Sequence, residues 1–142
     1  MPATVVALHL GKSSRAPLVS VPRVNAVLET GLEGDRHARP RSRRQVLLVE
    51  QEVLEEFGLD PGAIREQVTV RGLDLDRLAL GARIRVGGAL LEVAGPCEPC
   101  ARMDEVRPGL QEALAGRRGR FVRVIEAGTF AVGDALHVEP PA

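Results

Sequence analysis

Two consecutive glycines, Gly87-Gly88, separate Ala82-Arg83-Ile84-Arg85-Val86 from Ala89-Leu90-Leu91-Glu92-Val93-Ala94. The first segment alternates, with Ile84 and Val86 inward and both arginines outward, as a half-buried strand does. A two-glycine link between strands favours a tight hairpin that needs positive φ. Similar short strand patterns recur at residues 4–10, 19–28, 46–49, 68–71, 121–125 and 135–138. Pro22 marks an edge or a bend in the second of them. Val46-Leu47-Leu48-Val49 has no polar position at all, which predicts a strand buried on both faces.

Helical patterns are few. Residues 51–57 place Val53 and Phe57 four apart, with Gly58 as the stop. Asp60-Pro61 reads as a cap and first position of a helix of about a turn and a half. Residues 108–115 put Leu110, Ala113 and Leu114 on one face before Gly116. Strands do not alternate with long helices, so a parallel doubly wound sheet is disfavoured. The expected fold class is mostly β: a single barrel-like β domain over residues 1–142, with a few short helices.

At 142 residues, 44% hydrophobic and 27% charged, the chain suits one soluble domain with a substantial core. No apolar run is long enough to span a bilayer. The opening residues 1–8 lack the basic lead-in of a signal peptide, so the expected location is cytoplasmic, with reduced thiols.

The only two cysteines fall in Gly95-Pro96-Cys97-Glu98-Pro99-Cys100, at the end of a strand. The prolines hold this frame in extended or turn geometry. A closed zinc site needs four ligands, and His9, His37 and His137 share no short ligand motif with the pair. A thioredoxin-like centre wants a cysteine opening a helix in an α/β fold, which this chain does not offer. Two possibilities remain: an inert buried pair, or one thiolate used singly as a soft ligand or sulfur nucleophile.

Charge is balanced at 19 basic and 19 acidic residues, so bulk electrostatics points to no polyanionic partner. Locally it is uneven. Arg36, His37, Arg39, Arg41, Arg43 and Arg44 fall within nine residues of Gly31–Arg44. Guanidinium groups grip phosphate or carboxylate in a planar fork, so a bound phosphate is expected there. The plain alternative is a solvated basic loop, with Glu33 and Asp35 pairing to neighbouring arginines. Arg117-Arg118-Gly119-Arg120 brings more arginine to the mouth of a later strand, either at the same anion site or as solvated surface. An RNA-binding barrel is conceivable on charge, but Phe57, Phe121 and Phe130 are the only aromatics available for stacking.

The order Gly34-Asp35-Arg36-His37, Arg44-Gln45-Val46, Val70-Arg71-Gly72-Leu73-Asp74, Leu80-Gly81, Leu91-Glu92-Val93, Pro99-Cys100 and Gly133-Asp134 resembles the MOSC domain. That domain is named for the C-terminal part of molybdenum cofactor sulfurases, and the resemblance covers residues 4–138. It implies a mostly β barrel-like fold that binds the molybdenum cofactor (molybdopterin). The position of Cys100 matches the molybdenum-ligating cysteine of the family's reductases, which act on N-hydroxylated compounds. Basic residues that hold the anionic pterin and its phosphate map onto Arg36, His37 and Arg44, more loosely onto Arg39 and Arg43, with Asp35 and Arg118 as further candidates. A reductase would need a separate electron donor protein. The alternative within the family is a sulfur carrier, loaded by a cysteine desulfurase as a Cys100 persulfide. Glu66-Gln67 stands where many relatives have Glu-Asn, and Cys97 has no role in the family pattern.

Overall fold

In the computed structural model, which describes residues 2–140, the strands are β1 Ala3–Leu10, β2 Val19–Val21, β3 Arg23–Val27, β4 Gly31–Leu32, β5 Val46–Glu50, β6 Val68–Arg71, β7 Arg83–Val86, β8 Ala89–Pro96, β9 Arg120–Glu126, β10 Gly128–Ala131 and β11 Ala135–Val138. The helices are α1 Gln51–Glu56, α2 Arg102–Val106 and α3 Leu110–Ala113, with a 3-10 turn at Leu75–Arg77.

The main sheet runs β11-β7-β8-β9-β5-β6-β1, and β11 pairs back onto β1 through Ala3↔Leu136 and Thr4↔Ala135. Closure into a barrel removes the unpaired edges that an open sheet would present. β2 attaches to the far end of β1, pairing Leu8↔Val21 and Leu10↔Val19. β5 and β6 are parallel, so the chain must cross over between them, and α1 with the following turn makes that crossing. The expected hairpin is present between β7 and β8, with Val86 opposite Ala89 and Gly87 at φ 54°. A second, three-stranded sheet, β10-β3-β4, lies across its tip: a Cβ on Gly87 would come within 2.6 Å of the Thr129 carbonyl oxygen.

The apolar run of β5 serves two cores. Val46 and Leu48 face the barrel interior with Val68, Val93, Val122 and Phe130. Leu47 and Val49 face outward into a second cluster of Val53, Leu54, Ile64, Met103, Leu110 and Leu114. That second cluster holds the segment between β8 and β9, which carries both cysteines, against the barrel wall.

Some expected elements differ. Pro22 breaks the 19–28 segment into two strands that join different sheets. The helix expected from Asp60-Pro61 is a series of turns, because Gly62 and Arg65 take φ values of 88° and 67°. The helix expected at 108–115 is cut to Leu110–Ala113, since Gly109 adopts φ 83°. β4, β10 and α2 had no distinct sequence pattern.

Gly119 has φ 109°, and a Cβ there would sit 2.0 Å from the Leu48 carbonyl oxygen. Gly119→Ala is expected to lower unfolding free energy by about 3 kcal/mol or more in urea titration. Glu50, half-buried at the end of β5, is pushed up to about 7 by burial first and then by Asp76 and Asp74. Its folded state therefore favours the proton: the contribution is complete below the ordinary glutamate range and fades as pH rises through about 7. Glu50→Gln should remove that slope, worth about 1 kcal/mol after allowing for solvent screening.

Candidate functional site

β4 ends at Leu32, and the chain then turns on Asp35, whose N–H donates to the Leu32 carbonyl at 3.1 Å. The Asp35 carboxylate is buried. One oxygen accepts the Gly11 N–H at 2.7 Å; the other accepts the His37 N–H and the Gln67 side-chain amide, each at 3.1 Å. The Arg36 N–H answers by donating to the Gly11 carbonyl at 2.8 Å. Gln67 is committed on its other side too, accepting the Leu47 N–H at 2.8 Å. Gln45, fully buried, donates to the Ser42 carbonyl and accepts from the Val124 N–H. The arginine loop thus lacks regular structure but is fastened at both ends, to β1, β5 and β9.

This loop forms one wall of a cavity of about 650 Å³, a size that suits a small-molecule ligand. Arg36, His37, Arg43 and Arg44 line it from the loop; Cys97, Cys100 and Arg118 line it from the segment between β8 and β9. Arg65 and Arg102 complete the basic lining. Among the described residues, Arg36, Arg43, Arg44, Arg65 and Arg118 have no carboxylate within ion-pair distance. Arg65 and Arg118 bond backbone carbonyls instead: Arg65 those of Ala16 and Ser13, Arg118 those of Glu98 and Ile64. Burial lowers the Arg65 pKa, Arg102 and Arg36 add to this, and Asp35 opposes it. Arg44 lies over the Phe121 ring, 5.7 Å from its centroid.

His37 takes a hydrogen bond from Arg36 Nη1 at Nε2, 3.1 Å away. A guanidinium only donates, so Nε2 carries the lone pair and Nδ1 the hydrogen. Burial lowers the His37 pKa; Asp35 opposes this, and Arg36, Arg65 and Arg39 add to it.

The two thiols are free and differ in surroundings. Cys100 is exposed; Cys97 is buried in the second core. Cys97 Sγ accepts from Arg118 Nη1 at 2.9 Å. Burial pushes the Cys97 thiol up, with Arg118 and Arg44 pulling it down. His9, His37 and His137 do not join the pair, and among the described residues no group of three or more His, Cys, Asp or Glu side chains is placed to hold a metal.

Of the residues singled out in the sequence, Arg36, His37, Arg43, Arg44, Arg118 and Cys100 meet around one cavity. Arg39 and Asp35 do not reach its wall. Asp35 lies beneath, bonding backbone and amide donors rather than an arginine, and Glu33 accepts from Asn25 Nδ2 at 2.8 Å. Arg117 and Arg120 turn away to Glu56 and Asp76. Sequence reasoning missed Arg65 and Arg102. Arg102 lies two positions beyond Cys100, a usable signal; Arg65 comes from the crossover turn and carries none. Gln67, marked in the sequence only as a departure from the family's Glu-Asn, is placed at the cavity.

The fold and the site define a small β-barrel protein with a basic, thiol-bearing cavity. The MOSC domain family profile matches residues 33–137, and the chain belongs to that family. Among solved structures it is similar to the YuaD protein of Bacillus subtilis (24% identity, TM-score 0.82, covering 100% of this chain and 98% of that one). It is also similar to YiiM from Geobacillus stearothermophilus (23%, TM-score 0.78, 98% and 76%) and from Escherichia coli (22%, TM-score 0.76, 100% and 71%). These likenesses show the shared fold. No curated protein sequence matches the chain. No helix among the described residues is long and apolar enough to cross a membrane.

An anion seated among these guanidiniums would offset their repulsion of the imidazolium. Titration of the His37 ring by NMR should therefore give a higher pKa with saturating inorganic phosphate than without it. An unchanged His37 titration alongside shifted arginine signals would place the anion elsewhere.

Proposed function

We propose that the cavity binds the molybdenum cofactor, with Cys100 as the protein thiolate on the metal and the arginine wall gripping the pterin phosphate. The observation that carries this reading is the meeting, in one cavity, of an exposed thiol with a set of guanidiniums that lack carboxylate partners. The fit is chemical. A soft thiolate suits a soft metal, and the basic wall suits a phosphate.

Arg36, Arg43 and Arg44 would hold the phosphate, and Arg65 and Arg102 would crowd further positive charge around the pterin. Asp35 would keep the loop in place from below without touching the ligand, and Gln67, committed to Asp35 and Leu47, would hold the cavity floor beside it. An anion bound beside His37 would offset the neighbouring arginines that, with burial, lower the pKa of its ring. When bound, the cofactor would supply two-electron chemistry, and the reaction this reading favours is reduction of an N–O bond in a small N-hydroxylated compound. The sequence has no flavin or iron–sulfur motif, so this reading assigns electron supply to a separate donor protein.

Exposure of Cys100 also favours a second reading, in which Cys100 carries a persulfide from a cysteine desulfurase. The nucleic-acid reading has less support, because Phe121, the aromatic of the cavity, is only partly exposed and covered by Arg44.

Expression in a host that makes the cofactor, followed by molybdenum and pterin analysis per chain, tests the main reading. Wild type should retain both. Arg36→Ala and Arg44→Ala should each cut retention by about tenfold, the scale of one lost charge-assisted contact. Cys100→Ser should lose the metal. Retention unchanged by Cys100→Ser would remove the proposed ligand role, and a desulfurase-dependent mass gain of one sulfur on Cys100 would favour the second reading.

A further inference from the structure

We propose that Cys97 and Cys100 form a peroxide-sensitive dithiol that closes to a disulfide and takes the Cys100 thiolate out of use. Both thiols line the same cavity, one exposed and one buried. That asymmetry matches the two parts of a redox-sensing pair: an accessible sulfur that meets the oxidant, and a sheltered one that resolves it. Cys97 is also more than a packed hydrophobe. Its Sγ is 2.9 Å from Arg118 Nη1, and that guanidinium is fixed by the carbonyls of Glu98 and Ile64. A guanidinium held there favours the thiolate, against the burial that pushes this thiol up.

The backbone says which cysteine moves. Strand pairing of β8 with β9 ends at Pro96↔Arg120, and the Cys97 N–H still donates to the Gly119 carbonyl at 3.2 Å. Cys97 is thus anchored to the barrel. Residues 97–100 have no helix or strand geometry. A disulfide needs Cα atoms within about 7 Å, and of the two it is Cys100, beyond the irregular Glu98-Pro99 link, that adjusts to meet that reach.

The chemistry balances with hydrogen peroxide as oxidant. The Cys100 thiolate attacks one peroxide oxygen; the S–O bond forms, the O–O bond breaks, and the other oxygen leaves as hydroxide, protonated to water. Sulfur has lost two electrons and is a sulfenic acid. The Cys97 thiolate then attacks Cys100 Sγ; the S–S bond forms, the S–O bond breaks, and hydroxide leaves with a solvent proton as water. Two thiols and one peroxide give a disulfide and two waters. The closed form has no Cys100 thiolate to ligate a metal or carry a persulfide, so the step regulates the proposed site, and a dithiol reductant reverses it. The disulfide itself does not depend on what the cavity binds.

The test is intact-mass analysis of the full chain after hydrogen peroxide, with maleimide alkylation under denaturing conditions. Wild type should lose two hydrogens and both alkylatable thiols, and dithiothreitol should restore them. Cys97→Ser should instead accumulate a dimedone-trappable sulfenic acid on Cys100. Arg118→Ala, checked for native circular dichroism, should slow disulfide formation by about tenfold. Sulfinic acid on Cys100 of wild type with Cys97 still alkylatable would overturn the proposal. So would two intact thiols at a dose that oxidises Cys97→Ser. Chain purified from a host unable to make the cofactor gives the same readout, so failure here and failure of the cofactor reading are told apart.

Discussion

The carboxylate of Asp35 joins the functional loop to the barrel. It is buried, and it accepts from Gly11 at the end of β1, from the His37 backbone and from the Gln67 amide, which in turn accepts from Leu47 on β5. A buried carboxylate left without donors would be costly, and so would those donors left without it. The two requirements meet in one arrangement of the chain. That arrangement carries Arg36, His37, Arg43 and Arg44 to a single cavity wall without a helix or strand to present them.

The cavity is a concentration of charge that the composition conceals. Acidic and basic residues are equal in number, yet they are not evenly mixed. Away from the cavity, arginines such as Arg71, Arg85, Arg117 and Arg123 pair with glutamates. At the cavity, guanidiniums meet carbonyls, an aromatic face, an imidazole and a sulfur, and only Arg102 among those lining it reaches a carboxylate, Glu105 at 3.9 Å. Crowding of this kind disfavours the unliganded protein through mutual repulsion, and a bound anion relieves it. Arg65 is held there in a left-handed backbone conformation, φ 67°, which a residue with a side chain adopts only when its surroundings impose it.

Much of the barrel was legible because strand alternation and burial share one cause. The unbroken apolar run of β5 pointed to two buried faces, and the structure supplies a core on each side. The Gly87-Gly88 turn was equally plain. The crossover turn at 60–66 was not: Asp60-Pro61 has the local chemistry of a helix start, but Glu66 captures the Gly62 N–H at 2.9 Å, and the left-handed Gly62 and Arg65 end the helix before it begins. Local signals lost to a buried side chain four residues away. At the site, the dense arginine stretch announced itself, whereas Arg65 and Gln67 reach the cavity only through the parallel β5–β6 crossover. The same topology explains why one member of Arg117-Arg118-Arg120 faces the thiols while its neighbours pair with acids. Cys97, without a role in the sequence pattern, acquires one from its contact with Arg118.

The central claim is that Cys100 supplies a sulfur to a metal held by the arginine-lined cavity. X-ray absorption at the molybdenum edge of the cofactor-loaded protein measures this directly. The account predicts one more sulfur neighbour in wild type than in whatever loaded fraction Cys100→Ser retains. An identical sulfur count in the two proteins would contradict it.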